Sequence, residues 1–451
     1  MSFERMSRCR APIGGKLAVA AVATLVVAIA AGAARADSGF VAPREEIPLT
    51  YSLSTGARSL GMGGIGVAVA EDATAISLNP ACMARLQRIE VSGEFRHSSS
   101  EFDGSMSGDA FESSFSHTDI SALRAAYPFP TFRGSLVLAV AAERLYDFTD
   151  DRLAAYEGEI AWTEPPGDPM SGDWAQVEDY IAEGGIYAFT AGAAVDISPS
   201  IALGAAVSYY SGDYAYTFRW DLDDVNELSD AYDDVTSIDE YSTDVSGLRA
   251  TVGTLFYVSD RLSLGLTVDT PLTLTFDGRG DQSVTANGGA VILDQSSFLF
   301  SDEVTLPFSF RAGAALSPVD LLMLGADVGY TEWSEMAYEG PLTQIVEEDG
   351  GIARESIYEG VIDYAIGLEA TIPNWPVRLR AGYASRPIPY RGLDIDSDRS
   401  VFSLGAGAVI DGALALDVAW LQSAFERSDA RYEHEETATD RALVIEATYR
   451  F

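Results

Sequence analysis

The sequence comprises 451 residues, 47% hydrophobic and 10% aromatic, with 41 glycines and a formal net charge of -39. Acidic residues outnumber basic ones 68 to 29, which excludes nucleic acid and anionic membrane surfaces as partners because both would repel the chain. Two cysteines, Cys9 and Cys82, are too few for the framework of a disulfide-stapled domain.

In chain order, Arg5, Arg8, Arg10 and Lys16 precede or open the apolar run LAVAAVATLVVAIAAGAA, which ends on Ala34-Arg35-Ala36. A basic head, an apolar middle and an A-x-A end describe a secretory signal peptide over residues 1–36, cut between Ala36 and Asp37. Cys9 would leave with it, and Cys82 would remain as a single thiol suited to core packing. No later apolar run approaches the roughly 18 residues that a spanning helix requires.

Residues 37–87 contain SLGMGGIGVAVAEDATAISLNPA, and within it Gly61-x-Gly63-x-x-Gly66. That spacing satisfies the dinucleotide fingerprint, but such a loop must come after a buried parallel strand and open a helix. PLTYSLSTGARS is not such a strand, and Asn79-Pro80 would soon break any helix opened there. No cofactor is expected. Small residues of this kind permit close backbone approach instead.

From Arg88 onward the period is two. Leu322, Leu324, Ala326, Val328 and Tyr330 alternate with Met323, Gly325, Asp327, Gly329 and Thr331, so one face is apolar and the other small or polar. The same pattern predicts fourteen strands, near 88–98, 116–129, 135–148, 184–198, 201–221, 242–259, 262–279, 297–316, 321–336, 361–373, 377–390, 399–411, 413–427 and 440–451. Connections after even-numbered strands are tight, such as Pro199-Ser200, Asp260-Arg261 and Asp411-Gly412. Those after odd-numbered strands are longer and acidic. Short turns at one end and long loops at the other describe an outer-membrane barrel with both termini in the periplasm.

The fold class expected is therefore all-β: a transmembrane antiparallel β-barrel over 88–451, with 37–87 as a plug inside a lumen too wide for wall side chains to fill. Leu443, Ile445, Ala447, Tyr449 and Phe451 share one face at the end of the chain. That ending is similar to the strand signal read by the outer-membrane assembly machinery. Tyr209, Tyr210, Tyr214, Tyr216, Phe218, Trp220, Trp375 and Trp420 are expected at lipid–water boundaries.

ARSLGMGGIGVAVAEDATAISLNPACMARL resembles the N-terminal hatch of the FadL/TodX family of outer-membrane transporters, through Gly61, Gly63, Gly64 and Gly66 and through Asn79, Pro80 and Ala81. TLPFSFRAGAAL, LGADVGYTEWSEM and VRLRAGYASRPIPY resemble later strands of that family. The resemblance implies passive passage of long-chain fatty acids or other hydrophobic compounds, aromatic hydrocarbons included, with lateral exit into outer-membrane lipid. PorV-like secretion scaffolds share a similar hatch, so a scaffold is one alternative; a general porin is the other.

Among individual residues, Trp174, Val177 and Ile181 could share one face of a short helix starting near Asp173, inside a loop over about 149–183. Trp174 and Ile181 are thus candidates for a hydrophobic docking surface. Arg249, Arg311, Arg378 and Arg380 are candidates for binding a carboxylate head group, although pairing of Arg380 with Glu369 and proximity of Arg311 to Asp327 favour ion pairs within the wall. Asp394-x-Asp396-x-Asp398 and the group Asp221, Asp223, Asp224 and Asn226 offer oxygen ligands without the Gly and Glu of an EF-hand, so no metal is expected. His97, His117 and His434 lack a spaced nucleophile or metal partner and there is no G-x-S-x-G, so no catalytic residues are expected.

Overall fold

The computed structural model describes residues 49, 52, 56–106, 108–132, 134–160, 172–227, 229, 232–339, 358–389, 394–429 and 434–451. The expected signal peptide over 1–36 and most of 37–55 lie outside them.

The chain forms one antiparallel sheet of fourteen staves. The first two are β1 (Glu90–Met106) and β2 (Asp109–Pro128), and the third is broken into β3 (Leu136–Asp147) and β4 (Asp150–Ile160). β5 (Gly172–Ser198), β6 (Ile201–Asp223) and β7 (Asp234–Ser259) come next, unbroken. The next three are each in two pieces: β8 (Leu262–Asp269) with β9 (Leu272–Ala286), β10 (Val291–Leu306) with β11 (Ser309–Val319), and β12 (Leu322–Glu332) with β13 (Ala337–Glu339). β14 (Gly360–Thr371), β15 (Val377–Arg386), β16 (Asp394–Ile410), β17 (Leu414–Asp429) and β18 (His434–Arg450) complete the wall. β18 pairs back onto β1 from Glu90↔Arg450 to Ser105↔Glu435, so the sheet closes. In hydrocarbon, closure is what leaves no strand edge without hydrogen bonds.

The period of two decides which side chains meet lipid. Leu324, Val328, Tyr330, Phe402, Leu404, Leu443, Ile445, Tyr449 and Phe451 are all exposed on the outer surface. The aromatic assignment needs correction. Tyr209, Trp375 and Trp420 are exposed, whereas Tyr210 and Trp220 are buried and Tyr214 lines the interior. Tyr209 and the even-numbered residues lie on opposite faces of β6, as alternation demands.

The tight turns stand where the sequence predicts them; Asp411 and Gly412 both take positive φ, as a two-residue hairpin turn requires. At the other end, several expected loops are continued strands. β1 and β2 pair up to Met106↔Asp109, and β5 and β6 pair up to Ala175↔Asp223. The apolar row ends where lipid ends, but the backbone ladder continues above it. The helix expected from Asp173 is part of β5. Trp174 and Ile181 are seven residues apart, which shares a face in a helix but opposes faces in a strand. Trp174 is fully buried with Trp220, Leu222 and Val235, while Ile181 points outward.

Inside the cylinder, residues 56–86 make a plug. It has two one-turn helices, Ala57–Leu60 and Ala75–Leu78, and a 3-10 segment, Pro80–Arg85, whose N-cap Asn79 accepts a hydrogen bond from the Ala81 N–H. Met62, Ile65, Ala68, Ala81 and Cys82 are all fully buried. The plug backbone lies directly on glycines of the wall. A Cβ on Gly382 would collide with Met62 and Gly63, and one on Gly253 would collide with the Asn79 side chain. Gly63 itself has a φ of 78°, a conformation that suits glycine.

Gly382→Val and Gly253→Val should therefore lower the thermal stability of the folded barrel, measured as the temperature at which it loses its anomalous gel migration. Gly93→Ala is the control, because its Cβ meets only an ordinary contact with Leu123.

Candidate binding chamber, plug anchors and wall seam

The plug makes little secondary structure of its own, so its N–H groups need other acceptors. Wall carboxylates supply them. Gly56 N donates to Glu94 Oε2 at 2.7 Å, Ala57 N to Glu446 Oε2 at 3.0 Å and Ala73 N to Glu90 Oε2 at 3.0 Å. Gly66 N and Val67 N both donate to Asp327 Oδ2, at 2.6 and 3.0 Å. Asn79 Nδ2 spans plug and wall, donating to Val67 O and Thr254 O. Gly61, Gly63, Gly64, Gly66, Asn79, Pro80 and Ala81 thus all sit in the plug; Gly61 and Gly63 pack closely on the wall, Gly66 on Leu78 of the plug itself, and Gly64 takes a φ of 83°.

Of these, Glu90 pairs with Arg450, and Glu94 and Glu446 share Arg124. Arg124, with no solvent exposure of its side chain, reaches Glu143 at 2.5 Å, Glu446 at 2.9 Å and Glu94 at 3.3 Å. Arg58 of the plug pairs with Glu369 at 3.0 Å, and Arg380 joins the same carboxylate at 2.7 Å and Asp417 at 2.6 Å. Arg378 also approaches Glu369, at 3.5 Å. The Glu369↔Arg380 register predicted from the turn is observed. Arg311 differs from expectation: it pairs with Asp269 of β8 at 3.1 Å, because Asp327 is taken by the plug. Arg378 and Arg380 therefore pair within the wall, around the carboxylate that Arg58 of the plug also binds.

Cys82 is fully buried, its Sγ 3.5 Å from Val67 O, and burial pushes the thiol up to about 12. It is a packing residue.

Above the plug lies a cavity of about 520 Å³. One side is apolar, with Tyr146, Phe148, Tyr210 and Leu306 in a single cluster that Leu49 joins from the N-terminal segment. The other carries Ser98, Ser100, Asp440 and Arg441. Arg249 and Arg311 both reach this cavity. Arg249 has no carboxylate partner among the described residues; its Nε donates to Thr270 O at 3.0 Å, beside Pro271, where β8 gives way to β9. Sequence reasoning placed Arg249 correctly in the lumen but could not separate it from the paired arginines.

The cavity adjoins a seam in the wall. β2 and β3 pair only from Ala122↔Glu143 to Pro128↔Val137, and β4 pairs with β5. Among the described residues no ladder joins Asp109–Ser121 to β3 or β4. His117, Asp147, Phe148 and Thr149 line the cavity at this seam. His117, expected to lack a spaced nucleophile or metal partner, has Asp119 and Asp147 in contact with it. Asp119 was legible, since i and i+2 share a strand face, but Asp147 arrives only through topology. These three could hold a metal ion, yet Arg144 already contacts both carboxylates and supplies the charge a cation would bring.

The acidic groups of the upper strands are engaged locally. Burial alone would raise the Asp221 carboxyl, but hydrogen bonds from Arg219 and Thr236 hold it below its ordinary range. Asp224 accepts from Ser229 N. The side chains of Asp394 and Asp396, and of His434, lie outside the described residues, and His97 contacts Thr118 on the outer face.

The sequence model of the outer membrane transport proteins OMPP1/FadL/TodX matches residues 187–450. Among solved structures, a FadL homologue of Pseudomonas aeruginosa is similar at 15% identity and a TM-score of 0.61, over 89% of this chain and 99% of that one. The toluene transporter TodX of P. putida is similar at 12% identity and a TM-score of 0.61, over 88% and 99%. The toluene transporter TbuX of Ralstonia pickettii is similar at 15% and 0.54, over 88% and 98%. These likenesses show the fold. No curated protein sequence matches the chain.

Two outcomes are expected from the anchors. Glu369→Gln leaves Arg58 and Arg380 buried without their shared partner and should cost roughly 3–5 kcal/mol in urea unfolding of the folded barrel. Cys82 should resist maleimide in the native barrel and react once it is unfolded; native labelling would contradict its burial.

Proposed function

Because the chain belongs to the outer membrane transport protein family OMPP1/FadL/TodX, we propose that its own solutes are amphipathic acids with a long apolar tail, long-chain fatty acids foremost. As a family member it is a transport barrel of the bacterial outer membrane for hydrophobic compounds. The choice of an acid rests on one observation. Arg249 presents a guanidinium to a chamber with an apolar side, and no carboxylate of the described residues occupies it. A carboxylate paired there would make charge-assisted hydrogen bonds, the strong kind, while the tail lies against Tyr146, Phe148 and Leu306.

Passage needs no energy source if the tail never meets water. Each CH₂ withdrawn from water gains about 0.8 kcal/mol, so about a dozen would cost ~10 kcal/mol to release through an aqueous pore. The plug blocks the straight route, and the seam between β2 and β3 opens from the same chamber. We read the seam as the sideways exit into outer-membrane lipid. Export by a cleaved peptide over 1–36, and assembly through the strand ending at exposed Phe451, complete the reading.

The test compares two probes on one variant. Arg249→Gln should weaken binding of radiolabelled oleate about 10–100-fold, the worth of a hydrogen bond to a charged group, and leave toluene binding unchanged. Equal loss for both probes, or none for oleate, would sink the acid reading in favour of an uncharged hydrocarbon.

A further inference from the structure

A second defect in the wall stands away from the seam, with β5, β6 and β7 between them. Three neighbouring staves are interrupted at one level: β8/β9 after Asp269, β10/β11 after Leu306 and β12/β13 after Glu332. The register Leu306↔Leu272 and Ser309↔Asp269 sets Pro307 opposite Pro271. Neither proline has an N–H, so the ladder cannot close there. On the β7 side Thr270 patches the gap, its Oγ1 accepting from Ala250 N at 3.0 Å. On the other side β10 pairs with β13 up to Thr305↔Ala337, and β11 with β12 from Ser309↔Thr331. Among the described residues no ladder joins 306–308 to 332–336.

The chamber reaches this fault, since Asp269, Leu306, Pro307, Ser309, Thr331 and Trp333 all line it. Outside, the skin changes character at the same level. Leu266, Phe308, Phe310 and Tyr330, at or below the break, are exposed and apolar or aromatic, whereas Thr273 and Glu303 just above it are exposed and polar. That change marks the outer lipid–water boundary. One side chain closes the fault. Trp333–Glu335 form a 3-10 turn, with Met336 N donating to Trp333 O at 3.0 Å, and Trp333 packs on the cluster that contains Leu272, Leu306 and Met336. The stretch Thr331-x-Trp333-Ser334 gains a physical reading from this. The Thr331 hydroxyl donates to Ser309 Oγ at 3.2 Å and the Ser334 hydroxyl to Glu332 Oε1 at 2.5 Å, so both hold the turn that carries the indole.

An apolar solute gathers in lipid before it meets any protein, because every CH₂ withdrawn from water is favourable. A route down the cylinder from the medium passes between packed clusters, Trp174 with Trp220 and Leu222, and Met106 with Phe102 and Phe111. The fault offers a route from the lipid itself. We propose that it is an inlet, through which solute dissolved in the outer leaflet enters the chamber sideways past Trp333. Arg249 donates to Thr270 O at the same level, so a carboxylate riding at the boundary reaches it without changing height. Only that last detail rests on the acid reading of the function.

The test uses a probe with no head group, a diazirine-bearing hexadecane, carried by donor vesicles and mixed with the full barrel in lipid nanodiscs. Photolysis soon after mixing attaches it to what it touches, and attachment to Tyr210, a buried β6 residue of the chamber, counts solute inside. Fluorescein maleimide on Phe308→Cys, at the outer lip, should slow that attachment about tenfold. The same label on Phe402→Cys, exposed to lipid on β16, should leave it unchanged, and buried Cys82 takes no label in either. Trp333→Ala should quicken loading about tenfold, about 1.4 kcal/mol of barrier, while Trp333→Phe, which keeps a ring, should load like the parent. Loading that ignores the Phe308 label, or that the Phe402 label slows as much, overturns the inlet and leaves entry to the mouth or the seam. An unchanged rate in Trp333→Ala overturns the role of its indole; if that variant does not fold, the two labels decide alone. The probe carries no carboxylate and is scored before it leaves, so the acid reading and the exit can each fail without touching this result.

Discussion

A backbone at membrane depth has no water to bond, so each N–H and C=O must find a partner within the protein. Closure of β18 onto β1 meets that demand for the wall. Where the ladder does not meet it, among the described residues, side chains do. Within the plug, wall carboxylates accept from Gly56, Ala57, Gly66, Val67 and Ala73. Along the seam, His117 and Arg144 bridge what the backbone does not. At Pro271, Arg249 attaches to Thr270 O. Apart from His117, each of these substitutes is a charged side chain, which explains why a wall with a lipid-facing skin also carries so many buried acids and arginines.

The plug and the wall are consequently one electrostatic unit. Glu94 and Glu446 each bond the plug backbone and Arg124, while Glu369 bonds Arg58 of the plug and Arg380 of the wall. Removing the plug would leave these wall carboxylates without their backbone donors, and burial of unpartnered charge is expensive. The glycine contacts add a steric requirement to the electrostatic one, since the two backbones meet without side chains between them. Such a stopper is held to the wall by both kinds of contact.

The staves were legible because lipid demands an unbroken apolar row on every second residue. Their upper ends were not, because above the bilayer the outer row becomes polar while hydrogen bonding continues. β5 shows the consequence: around Trp174 and Ile181 its inner row mixes Gln176, Glu178 and Tyr180, and a helical spacing fits by accident. Ion pairs were legible where a single tight turn sets the register, as for Glu369 and Arg380. They failed for Arg311, whose true partner, Asp269, lies on the strand at its other side. The seam cluster combines both cases: His117 and Asp119 share a strand face, but nothing local points to Asp147.

β5 runs for 27 residues, and at about 3.3 Å per residue it measures ~90 Å along its length. Tilted by about 45°, it rises ~60 Å, against an apolar band of about 25 Å. The mouth is thus a chimney standing well clear of the bilayer. Its outer bricks include Glu112, Asp151, Glu157, Glu183, Asp213 and Glu240, all exposed. Two such chimneys side by side would face each other as like-charged walls, so crowding of barrels in one membrane keeps their openings apart without any dedicated spacer.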